Sequence, residues 1–153
     1  MRSTFSEQTR QAISAQLQPL VVELADLSLT GKQLHWTVTG PNFRALHLQL
    51  DEFVDSYRTW TDQVAERLSA VGVPPDGRAG TVARETPHQP VPDGWLKDQD
   101  VVSMLSDRIE ATIKRVREAM EEVEKVDLAT QDVLIRIASG LEEQLWMLSV
   151  QEA

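Results

Sequence analysis

Residues 41–75 read PNFRALHLQLDEFVDSYRTWTDQVAERLSAVGVPP, and two chemically different stripes run through them. With one residue every 100° and His47 set at zero, Phe43, Leu46, Leu50, Phe53, Tyr57, Val64 and Leu68 cluster around roughly −80°. His47, Asp51, Asp62 and Glu66 occupy a second arc, at about 0°, 40°, 60° and 100°. The apolar stripe predicts a helix packed into a bundle. The second stripe flanks that core and faces sideways, toward a partner. His47 with Asp51, and Asp62 with Glu66, have the i, i+4 spacing that stacks potential metal ligands on one face. At about 1.5 Å of rise per residue, Asp51 and Asp62 stand roughly 16 Å apart along the axis, too far to share an ion. An antiparallel copy related by a twofold axis would lay its Asp62 and Glu66 beside this chain's His47 and Asp51, making two identical sites.

Glycine and proline divide the rest of the chain. Pro41 is expected as the first residue of this helix, which runs to Val71 and is ended by Gly72-Val73-Pro74-Pro75. A helix from about Ser6 to Trp36 precedes it, with Leu17, Leu20, Val21, Leu24, Leu27 and Leu34 at helical spacings. Pro19 predicts a kink or an effective start within that helix. A third helix from about Asp98 to Lys125 carries Val102, Leu105, Ile109, Ile113, Val116, Met120 and Val123. A fourth begins at Leu128, with Asp127 placed as its N-cap. Short connections make helices one and two, and three and four, antiparallel hairpins. About 25 glycine- and proline-rich residues join the pairs, enough to cross the bundle. The fold is therefore expected to be all-α: a ferritin-like four-helix bundle with one long crossover between helices two and three, in which a short helix near Thr81 to Glu85 is weakly signalled.

With 153 residues and no repeats, the chain suits one domain, 1–153. It has no cysteine, which excludes disulfides, thiolate zinc sites and iron-sulfur clusters. No apolar run approaches a membrane span, and MRSTFSEQTR lacks the apolar core of a secretion signal, so a cytoplasmic setting is expected. The formal net charge of -9 opposes a general affinity for nucleic acid or anionic lipid and favours a cation as the small partner.

His35, at the end of helix one, lies just across the short turn from the start of helix two and joins the candidate ligands. Imidazole nitrogen with several carboxylate oxygens suits iron, manganese or zinc. Trp36 has two readings: packing in the core or at an interface, or donating an electron to an oxidant at an adjacent metal. The spacing of Glu85 and His88 imitates a Glu-x-x-His metal motif, but Pro87 breaks the helix it needs, and His88 is expected to be exposed. The acidic run Glu121, Glu122, Glu124, Asp127 and Asp132 reads as a solvated helix end, or as a cation funnel if it surrounds a symmetry axis.

The combination Lys32-Gln33-Leu34-His35-Trp36, Thr39-Gly40-Pro41-Asn42-Phe43, Leu46-His47, Asp51-Glu52 and Asp62-Gln63-Val64-Ala65-Glu66-Arg67 resembles the Dps or mini-ferritin family, as does Leu141 to Leu148. The resemblance covers nearly the whole chain. It implies a ferroxidase site at a dimer interface, with one or two irons held by His35, His47 and Asp51 of one chain and Asp62 and Glu66 of its twofold mate. It also implies a hollow shell of twelve subunits built from twofold dimers. Such a shell oxidises iron(II), preferentially with hydrogen peroxide rather than oxygen, and stores ferric mineral against oxidative stress. Trp36 would lie near the site, and Asp127 and Asp132 would line a pore. The alternative is DNA binding and nucleoid compaction with iron sequestration secondary. Against it, the N-terminus offers only Arg2 and Arg10 with Glu7, and the C-terminus ends Gln151-Glu152-Ala153.

Overall fold

The computed structural model describes residues 3–152; Arg2 and Ala153, used above to judge the termini, lie outside them. In chain order the helices are α1 (Glu7–Thr37), α2 (Phe43–Val71), α3 (Ala79–Glu85), α4 (Asp98–Glu124) and α5 (Leu128–Ser149). Two short strands, β1 (Val38–Thr39) and β2 (Leu96–Lys97), complete the pattern. The four long helices form the bundle, α1 lying along α2 and α4 along α5. Each contributes to one core: Leu17, Leu24 and Leu34 from α1, Leu50 and Tyr57 from α2, Leu105 and Ile109 from α4, Leu134 and Leu141 from α5. The apolar stripe of α2 is buried as expected from Leu46 to Leu68, while Phe43 stays exposed at its end. No helix among the described residues is long and apolar enough to cross a membrane.

Side-chain caps explain two of the helix starts. Ser6 caps α1 by accepting the Thr9 N–H at 3.1 Å, and Asp127 caps α5 by accepting the Thr130 N–H at 2.9 Å. Pro19 neither starts nor ends α1, which runs through it. The ring removes the N–H that would serve the Ala15 carbonyl. Burial of Ile13, Leu17, Leu20 and Val21 around that point holds the helical path.

Pro41 differs from expectation. It lies in a turn closed by the Phe43 N–H on the Gly40 carbonyl at 3.1 Å, and α2 begins two residues later. The cause is a long-range contact: the Asn42 N–H donates to Asp98 Oδ2 at 2.8 Å, drawing the turn onto the start of α4. Gly40 has φ 123°, and a Cβ there would meet the Asp98 carboxyl at 2.7 Å, so only glycine fits. Beside this turn Val38 pairs with Leu96 and Thr39 with Lys97 in a parallel ladder. Two residues per strand are too few for any alternating pattern, so the sequence carries no signal for it.

His88 also departs from expectation. Its side chain is only 7% exposed, with Nε2 3.1 Å from Glu23 Oε1. Glu23 lies mid-way along α1 and is almost fully buried. A buried carboxylate needs donors. Both the Nε–H and an Nη2–H of Arg115 serve it, and the Thr112 hydroxyl donates at 2.6 Å. His88 completes this hub and pins the crossover to the α1–α4 face. Arg108 adds a second tie by donating to the Gln89 carbonyl at 2.6 Å.

Candidate metal centre

The hairpin of α1 and α2 brings together residues twelve apart in sequence. His35 is in the last turn of α1, His47 lies near the start of α2, and their rings stack with centroids 3.6 Å apart and planes inclined by 19°. His35 Nδ1 is 2.7 Å from the His47 carbonyl oxygen, and His47 Nδ1 is 2.9 Å from the His35 carbonyl oxygen. A carbonyl only accepts, so each Nδ1 carries the proton and donates. In the neutral rings both Nε2 atoms then keep a lone pair. Such second contacts fix the tautomer and aim of metal-binding imidazoles.

Asp51 sits one turn beyond His47, its Oδ1 3.5 Å from His35 Nδ1. The Lys32 ammonium, one turn before His35 on α1, donates to the same oxygen. The hydrogen bond from Lys32, against a smaller opposing effect of burial, holds the Asp51 carboxyl below its ordinary range, so it is an anion at neutral pH. The sequence pattern gave Lys32 no role of its own. The i, i+3 relation between Lys32 and His35 was the available signal.

Asp62 and Glu66 lie on the same face of α2 but further along it, each at least partly open to solvent. Among the described residues, no group of three or more His, Asp or Glu side chains of one chain is arranged to hold an ion. Beside Asp62 is an apolar cleft of about 510 Å³ lined by Val21, Ala25, Leu29, Arg58 and Val82. Leu29 projects there 63% exposed, and the buried Ser28 hydroxyl has no hydrogen-bond partner. Trp36 is 61% exposed at the end of α1, so it does not pack in the core of the chain.

The two pore candidates have different surroundings. Asp127 is largely buried, bound to Arg67 Nη2 at 2.5 Å and to the Thr130 amide. These contacts hold its carboxyl below the ordinary range against the opposing effect of burial. Asp132 is exposed and pairs with Arg136 at 2.8 Å across one turn of α5.

The Ferritin-like domain model matches residues 14–151. DNA protection during starvation protein 2 of Deinococcus radiodurans is 32% identical over 143 residues, which is 94% of this chain and 59% of that protein. This chain thus spans well under two thirds of that relative. The DNA protection during starvation protein of Mycolicibacterium smegmatis is 32% identical over 146 residues, covering 93% of this chain and 78% of its own. Among solved structures, Dps from Microbacterium arborescens in its high iron form is similar with a TM-score of 0.93 and 34% identity, covering 98% of each chain.

Proposed function

The chain belongs to the Dps family of ferritin-like proteins, and from that premise we propose that it is a ferroxidase that oxidises iron(II) and stores the ferric product in a shell of its own copies. One observation carries the site: two imidazoles, each locked through Nδ1 on the other's backbone carbonyl, with both Nε2 atoms free beside an ionised Asp51. Iron(II) is the substrate. His35, His47 and Asp51 of one copy supply half of its ligands, and Asp62 and Glu66 of a twofold mate supply the rest.

The donor set suits the reaction. Imidazole retains iron(II), and carboxylate oxygens favour the harder iron(III), so oxidation is driven forward. With hydrogen peroxide the balance is two iron(II) and one peroxide giving two iron(III) and two hydroxides. Both electrons needed to break the O–O bond come from iron, so no hydroxyl radical is released. Lys32 holds Asp51 in place before the dication arrives and gives it up on binding. Trp36 is a reserve electron donor when one iron meets peroxide alone. Twelve copies enclose the mineral, and the exposed Asp132 near the start of α5 marks an entry route, while Asp127, bound to Arg67, holds that helix end in place. The setting is cytoplasmic. Protection of DNA then follows from removing iron and peroxide; direct coating of DNA is disfavoured by the net charge of -9.

Mixed assembly tests the shared site. His47→Ala and Asp62→Ala chains should each lose iron(II) binding by at least about 100-fold in anaerobic titration. Co-expressed, every mixed pair regains one intact site of its two, and peroxide-driven oxidation returns with it. Unchanged binding and oxidation in the single variants would sink the assignment.

A further inference from the structure

We infer that Asp55 and Arg58 form two reciprocal ion pairs across the twofold axis, and that these set the register in which the two half-sites meet. The inference rests on the shared site proposed above. If His47 faces Glu66 of the mate and Asp51 faces its Asp62, then the antiparallel α2 helices are centred on the peptide joining Ser56 to Tyr57. That register is decided by the ligands alone. It also places Asp55 opposite the mate's Arg58, and Arg58 opposite the mate's Asp55. On the angular scale with His47 at zero, Asp55 falls at about 80° and Arg58 at about 20°, both inside the arc of the ligands. Both lie well inside the uninterrupted helix α2 (Phe43–Val71), so the spacing holds in the fold.

The side chains are available for such a contact. Asp55 is 79% and Arg58 60% exposed, and within one chain their closest approach is 3.8 Å, a loose i, i+3 pair that contributes little. Arg58 also lines the cleft beside Asp62, next to the exposed Leu29. A second copy of this chain fits that face: in the stated register it supplies an opposite charge for each end of the Asp55–Arg58 step. The wrong register, slipped by one helical turn, would break both ion pairs and separate the ligands of both sites. Unpaired or opposed like charges discriminate strongly against wrong pairings. Asp55 and Arg58 are therefore positioning residues.

A charge-swap experiment separates the contact between chains from the contact within one. Asp55→Arg gives a chain with two arginines at these positions, and Arg58→Asp gives one with two aspartates. Each alone should self-associate at least about tenfold more weakly than wild type in sedimentation, and bind iron(II) at least about tenfold more weakly in anaerobic titration. When the two variants are co-expressed, each arginine of the first chain meets an aspartate of the second, and it does so only across the axis. Both readouts should then return to within about threefold of wild type. A contact within the chain would give no rescue. Singles that behave as wild type, or a mixture no better than the singles, would overturn the inference. If the mixture re-associates but neither it nor wild type binds iron(II), the register stands and the iron assignment fails.

Discussion

At the residue scale the decisive choice is which atom of each histidine is left free. An imidazole has one donor and one acceptor when neutral, and the reciprocal Nδ1–carbonyl contacts of His35 and His47 commit the donor. Lys32 makes a similar commitment for Asp51: it is a cation already in place where the proposed site would hold a dication. Replacing it with a neutral chain of similar shape removes a competitor. Lys32→Met should therefore tighten anaerobic iron(II) binding by about tenfold, with the Asp51 carboxyl moving back up toward its ordinary range. Weaker binding would mean that Lys32 orients Asp51 more than it competes for it.

At the element scale, the crossover is held by a buried charge cluster rather than by apolar contact alone. Burial on its own would push the Glu23 carboxyl up, but hydrogen bonds from Arg115 and Thr112, the close approach of His88 and the charge of Arg115 bring it down to about 2. A carboxyl depressed in the folded state stabilises the fold above its ordinary value of 4.5, and that contribution drains away as pH falls from there toward 2. Acid titration of stability should show this slope in wild type and lack it in Glu23→Gln. At neutral pH the substitution should cost about 3 kcal/mol, the lower end for breaking a buried pair, because Arg115 is one-third exposed and partly hydrated. Equal acid slopes in the two proteins would show that other carboxylates carry the effect. The long helices and their pairing are legible because apolar residues recur at helical spacing and Gly–Pro clusters punctuate them. The burial of His88 is not legible, because its surroundings in sequence are all loop-like and nothing local announces that a carboxylate on α1 is waiting for it.

At the scale of the whole molecule, one chain leaves large apolar side chains in water. Leu29, Trp36, Trp95, Leu128 and Trp146 are all exposed. These surfaces suit burial between copies, and the assembly proposed above would multiply the negative charge of the chain. The field outside such a body repels a polyanion. A gel-shift titration should accordingly show no sub-micromolar affinity for duplex DNA at about 0.15 M salt. Tight binding that weakens steeply with added salt would reverse this reading and make DNA coating a direct activity.

The sequence was sufficient for whatever depends on near neighbours. Helical periodicity, the Asp127 cap, the length of the crossover and the shared arc of His47, Asp51, Asp62 and Glu66 follow from residues a few positions apart. Packing was needed wherever the partner is distant along the chain. The Asp98 carboxylate displaces Pro41 from the helix start, Arg115 and His88 make Glu23 tolerable in the core, and the α1–α2 hairpin fixes both histidine tautomers and seats Lys32 on Asp51. Periodicity determines which face of a helix is apolar, but only the folded chain determines which groups meet across that face, because hydrogen bonds and ion pairs depend on positions to within a fraction of an ångström.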